Sequence, residues 1–84
     1  MELKFEELKS NEQDVLEELF LNGPTWDGYI VSKTGRDSLC DLGLAEHRSA
    51  WAFLTRAGVM MAITADVRER ADTRWRRKQQ TSMA

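Results

Sequence analysis

Few residues in this chain have the reactivity that catalysis needs. There is one Cys, one His, and five glycines that each stand alone. Cys40 sits beside Leu39 and Leu42, where a thiol acts as a small buried hydrophobe. As a nucleophile it would need a partner base, and the sole imidazole, His47, falls on a separate segment. One Cys and one His do not make a structural zinc site. Gly23, Gly28, Gly35, Gly43 and Gly58 are too scattered to form a loop that cradles phosphate. The carboxylates near the start have no second cluster to oppose them. The expectation is no enzymatic activity, no metal and no cofactor.

What remains is the chemistry of charge and aromatic surface. Lys33, Thr34, Arg36 and Ser38 could face a nucleic-acid groove, with Arg36 best suited to a bidentate guanine contact. His47 and Arg48 could touch phosphate. Asp37 and Asp41 share the same segment and oppose such a contact. Arg74, Arg76, Arg77 and Lys78 crowd around Trp75, which could stack on a base or anchor a partner. The plainer alternative in both places is a solvated helix face. Met60, Ile63 and Val67, with Trp75, suit a core or a dimer interface.

A length of 84 residues and a mass of 9.7 kDa suffice for one small domain spanning 1–84, with 79–84 expected as a frayed tail. A composition of 42% hydrophobic and 31% charged residues suits a folded domain and argues against disorder. A single Cys excludes an internal disulfide. No apolar run approaches the roughly 20 residues that span a bilayer. The first residues also lack a signal-peptide pattern, so a reducing cytoplasm is the expected setting. The net charge of −2 conceals a gradient. Residues 1–22 carry seven acids against Lys4 and Lys9, whereas residues 66–84 carry six cations against three acids. Such a dipole could orient the molecule on a polyanion or pair two copies head to tail.

Four elements would position these groups. Residues 11–22 predict a helix with Val15, Leu16, Leu19 and Phe20 as its apolar stripe. Ser10 or Asn11 would cap it, with Gln13 or Asp14 closing the box, and Asn22-Gly23-Pro24 would end it. Leu3, Phe5 and Leu8 before it fit either a short helix or an extended arm. Residues 25–31 fit either a short helix or a tight loop. Residues 33–42 predict a second helix capped by Ser32 or Thr34, with Leu39, Cys40 and Leu42 inward and Gly43 as its stop. Period-two patterning over Leu44–Arg48 and Trp51–Leu54, around Ser49-Ala50, predicts a two-stranded antiparallel hairpin. Thr55 caps a last helix in which Val59, Met60, Ile63, Val67, Ala71 and Trp75 recur at three and four, running to about Arg77.

This helix, helix, hairpin, helix order is α+β. The wording Leu42-Gly43-Leu44-Ala45-Glu46-His47-Arg48, then Trp51 to Leu54, then Leu54-Thr55-Arg56-Ala57-Gly58, resembles winged-helix regulators of the multiple-antibiotic-resistance type. The resemblance covers about residues 36–60. It implies a compact winged-helix-like fold and, taken together with the basic C-terminus, leads to the expectation of a DNA-binding, transcription-regulatory role whose candidate contacts are Lys33, Arg36, Ser38, His47, Arg48, Arg74, Arg76 and Arg77. For a domain this small, a homodimer through Met60, Ile63, Val67 and Trp75 of the last helix is a further expectation, because burying that apolar face against a second copy would add stability. The compact, Arg-tailed chain is also similar to small bacterial or prophage-encoded proteins. Winged helices also serve as protein-binding modules, and Trp26, Trp51 and Trp75 are of the type enriched at protein hot spots. A protein partner without nucleic acid is the competing expectation.

Overall fold

The computed structural model describes residues 3–69. A 3-10 turn over Phe5–Glu7 leads into helix α1, Ser10–Asn22. Strand β1, Thr25–Trp26, is followed by a second 3-10 turn, Asp27–Tyr29, and by helix α2, Lys33–Asp41. Strands β2, Ala45–Arg48, and β3, Trp51–Leu54, precede helix α3, Arg56–Thr64. The α+β class stands as predicted, and strands form on either side of Ser49-Ala50, the first of them beginning at Ala45 and not at Leu44.

The start of α1 lies one residue earlier than expected. Lys9 is the cap residue, and the carboxylate of Glu12 accepts its backbone N–H at 2.7 Å. This bond gives Glu12 its buried position, although the helical wheel places it outside the stripe. Gln13 is not a capping partner. Its amide donates to the carbonyls of Phe5 and Leu8 and ties the first turn to the helix. Val15, Leu16 and Leu19 are buried as predicted, each contributing about 1.5–3 kcal/mol through removal from water. Gly23, at φ +77°, ends the helix with its N–H on the Leu19 carbonyl.

Helix α2 crosses α1 in backbone contact. A Cβ on Gly35 would stand 2.5 Å from the Asn11 carbonyl oxygen, so only glycine permits this approach. Ser32 is the N-cap, its hydroxyl accepting from the Gly35 N–H at 3.0 Å. At the far end Gly43 turns left-handed, and the Leu44 N–H reaches back to the Leu39 carbonyl, a Schellman-type closure. The reversal sends Leu44 into the core in place of Leu42. Leu42 is therefore exposed, contrary to the inward position its spacing suggests, and Cys40 is half-buried.

The sheet has three strands, not two. Trp26 and Thr25 pair antiparallel with Trp51 and Ala52, giving the order β1-β3-β2. Two residues are too few to show alternation, which is why β1 leaves no trace in the pattern. Arg48 and Trp51 close the hairpin around Ser49 and Ala50, both at positive φ, as a type I′ turn requires. Thr25, Ala45 and Ala52 are buried, and the two alanines belong to the same core cluster as Leu16 and Leu39.

The long last helix is also corrected. Thr55 caps α3 as predicted, accepting from the Gly58 N–H and donating to the Gly43 carbonyl. The helix then ends at Thr64, and Asp66 takes φ +54°. The chain resumes helical geometry at Val67–Glu69 with Val67 buried in the core. Val67 keeps the spacing a continuous helix would give, so periodicity does not register the break. The remainder of the predicted helix, with Ala71, Trp75 and the frayed tail, lies outside the described residues.

Candidate interaction surface

Pairing β1 to β3 places Trp26 directly opposite Trp51, and Trp51 opposite Arg48. Paired residues share a face, so the three side chains form one row across the sheet. Their neighbours Thr25 and Ala52 point inward, which fixes this row on the outer face. Trp26 and Trp51 are each 47% exposed. The Arg48 side chain is 74% exposed, and its guanidinium lies 3.7 Å from the Glu46 carboxylate. Phe53 and Glu46 form the adjoining pair on the same face.

The Trp26 ring is held in place. It lies over the backbone of Gly28, where any Cβ would enter the six-membered ring. Tyr29 meets it edge-on, with centroids 5.6 Å apart and planes at 70°. Tyr29 itself is 75% exposed. A lone glycine after Asp27 therefore decides where an aromatic side chain sits.

Behind this face lies a charged network that no local pattern announces. Arg36 is buried, and its Nη1 donates to Asp27 Oδ1 at 2.7 Å. Its Nε and Nη2 both donate to Asp37 Oδ1, at 3.0 and 2.9 Å. The other Asp27 oxygen accepts from His47 Nε2 at 2.8 Å. Desolvation pushes the Asp27 carboxyl up, but the His47 hydrogen bond and the Arg36 and His47 charges outweigh it, leaving the group below its ordinary range. Desolvation likewise works against the Arg36 cation, and its bonds to Asp37 and Asp27 raise it overall. The network joins β2, α2 and the turn after β1, so it braces the hairpin.

The predicted polyanion residues are thus dispersed. Arg36 has its donors directed into the protein. Lys33 is exposed and Ser38 half-buried, while the solvent side of α2 also presents Asp37 and Asp41. His47 is bound to Asp27, and Arg48 belongs to the aromatic row. Arg74, Arg76, Arg77 and Trp75 lie outside the described residues. Of the predicted interface, Met60 and Ile63 are exposed on α3, but Val67 is fully buried within its own chain and has no surface to offer a second copy. Met60 borders an open groove of about 740 Å³ that Leu3, Phe5, Leu42, Leu44 and Met61 also line.

Burial, then the Asp37 charge, raises the Cys40 thiol above its ordinary value, so it stays protonated. Among the described residues, no group of three or more His, Cys, Asp or Glu is placed to hold a metal ion. Among the same residues, no helix is long and apolar enough to cross a membrane. No protein-family model, curated protein or solved structure matches the chain.

The sequence singled out Trp26 and Trp51, together with Trp75, as residue types enriched at hot spots, with no sign that the first two stand side by side. It missed Tyr29 and Asp27 as functional positions. The Trp-Asp-Gly-Tyr wording carried a signal in its density of aromatics around a glycine, but the partner ring on β3 could come only from the pairing.

Proposed function

We propose that the chain is a non-catalytic, winged-helix-like module that docks a protein partner on the outer face of its sheet. The observation that carries this reading is the row of Trp26, Trp51 and Arg48, with both indoles half exposed and one of them pinned by Gly28 and Tyr29. Trp, Tyr and Arg dominate protein hot spots, Trp and Tyr because they supply a large contact area at small cost in rotamer entropy, Arg because its planar guanidinium donates several hydrogen bonds and stacks on rings. The charge balance supports a protein over a polyanion. The chain has a pI near 5.3, Arg36 is turned inward, and α2 shows solvent two aspartates for one lysine.

Duplex DNA binding by a transcription-regulatory homodimer is the second reading. It is favoured by the exposed Lys33, by Arg48 beside the hairpin turn, and by the basic wording of Arg74, Arg76 and Arg77. Met60 and Ile63 supply apolar surface on α3 for the dimer.

One experiment separates the two. Wild type and a Trp26→Ala, Trp51→Thr double variant serve as bait in the native extract, and both are titrated with duplex DNA across salt. A stoichiometric protein partner recovered by wild type and lost by the double variant supports the first reading. Salt-sensitive DNA affinity that survives the Trp changes and disappears with Lys33→Ala plus Arg48→Ala overturns it in favour of the second.

A further inference from the structure

The aromatic row is narrow, and its dimensions suggest what it accepts. Neighbouring strands lie about 4.8 Å apart, so Trp26 and Arg48, on either side of Trp51, stand roughly 9.6 Å from one another. Strand β1 contributes two residues, so the apolar strip stops where the sheet stops. A folded partner needs roughly 800 Å² on each side, far more than a strip this wide. A single extended chain needs no more than the strip.

The relief of the strip narrows the choice further. Trp26 and Tyr29 meet edge to face at 70°, so their exposed surfaces make a corner, and Trp51 lies beside it across the ladder. A compact pyrrolidine ring packs against such a corner with almost no side-chain rotamer freedom to lose. In a polyproline II helix, residues three apart are roughly 9.3 Å apart along the axis, close to the span from Trp26 to Arg48. When a proline sits at the Trp26 end, the residue one turn along meets the Arg48 guanidinium. That position calls for a carboxylate.

Resting on the protein-docking reading above, we infer that the outer sheet face binds a proline-rich segment in the polyproline II conformation, with an acidic residue one helical turn from the proline seated on Trp26. Glu46, loosely paired to Arg48 at 3.7 Å with both side chains largely exposed, gives way to the ligand carboxylate.

The test uses the full chain and a synthetic peptide of about twelve residues with repeated Pro-x-x-Pro and Glu spacing. Three controls accompany it: the same peptide with Lys for Glu, the same peptide with Ala for Pro, and an oligothymidylate. The indole N–H resonances of Trp26 and Trp51 report binding at the face. Saturable shifts of both indoles by the Pro/Glu peptide are expected, with affinity about tenfold weaker for each control peptide and for Trp51→Thr. Arg48→Glu reverses the preference so that the Lys peptide binds more tightly. Thermal melts check that these substitutions leave the fold intact, as the exposure of Trp51 and Arg48 leads one to expect. The inference fails if the indoles do not move at millimolar peptide, if Glu and Lys peptides bind alike, or if the oligothymidylate binds the face more tightly than any peptide. Silent peptides together with partner capture that still depends on Trp26 and Trp51 refute the proline chemistry alone. Silent peptides with no such dependence refute both readings.

Discussion

Replacing Ala50 by glycine should stabilise this protein, although it removes a side chain. Ser49 and Ala50 hold φ of +52° and +68° in the two-residue turn between β2 and β3. Ala50 cannot relax, because its carbonyl accepts the Asp27 N–H at 2.9 Å and so ties the turn to the end of β1. An L-residue in this region carries about 1–2 kcal/mol of strain from its Cβ. Glycine removes that strain and gives back about 0.5–1 kcal/mol through the greater freedom of the unfolded chain. The net gain is about 0.5–1 kcal/mol, equivalent to a rise of roughly 2–8 °C in Tm for a domain of this size. Thermal melts followed by circular dichroism read it directly, with Ala50→Val as the opposing control because a β-branched residue is worst at positive φ. Arg48 and Trp51 flank this turn, so the near-ultraviolet Trp signal should be kept or sharpened in Ala50→Gly. If Ala50→Gly lowers Tm, or Ala50→Val is tolerated, the hairpin does not close through a left-handed pair and the position of Trp51 loses its basis.

Three further outcomes follow from the same packing. Gly58→Ala would place a Cβ 2.1 Å from the Leu44 carbonyl oxygen, which already accepts the Thr55 N–H. Overpacking of about 3 kcal/mol against about 1 kcal/mol of helix propensity leaves a net loss of about 2 kcal/mol in urea unfolding. Gly28→Ala should cost little stability, since the Cβ meets only the outer edge of a half-exposed indole, but should push the Trp26 ring off its seat and change its fluorescence while Trp51 keeps its environment. The third concerns acid. The folded Asp27 carboxyl lies below its ordinary 3.8, so its contribution is present above that value and is lost as pH falls through the folded pKa. Urea midpoints between about pH 5 and pH 2 should therefore fall more steeply for wild type than for Asp27→Asn. Parallel slopes would exclude Asp27 from the acid transition.

The elements that depend on neighbours in sequence were legible from the residue order. The Val15, Leu16, Leu19 stripe, the Ser32 and Thr55 caps, the Gly43 stop and the hairpin around Ser49-Ala50 all follow from spacing and side-chain chemistry within a few residues. The elements that depend on distant partners were not. Strand β1 exists because Trp26 and Thr25 find Trp51 and Ala52 some 25 residues later, and two residues carry no period of their own. The break at Asp66 is hidden because Val67 returns to the core in helical register. Arg36 is the sharpest case, since on its helix it resembles a reader of DNA. Only the fold brings Asp27 and, through it, His47 to meet it, and a buried guanidinium directs its donors to the carboxylates that share its low-dielectric setting. Spacing determined which segments would form; long-range pairing decided which of their side chains would be left to face a partner.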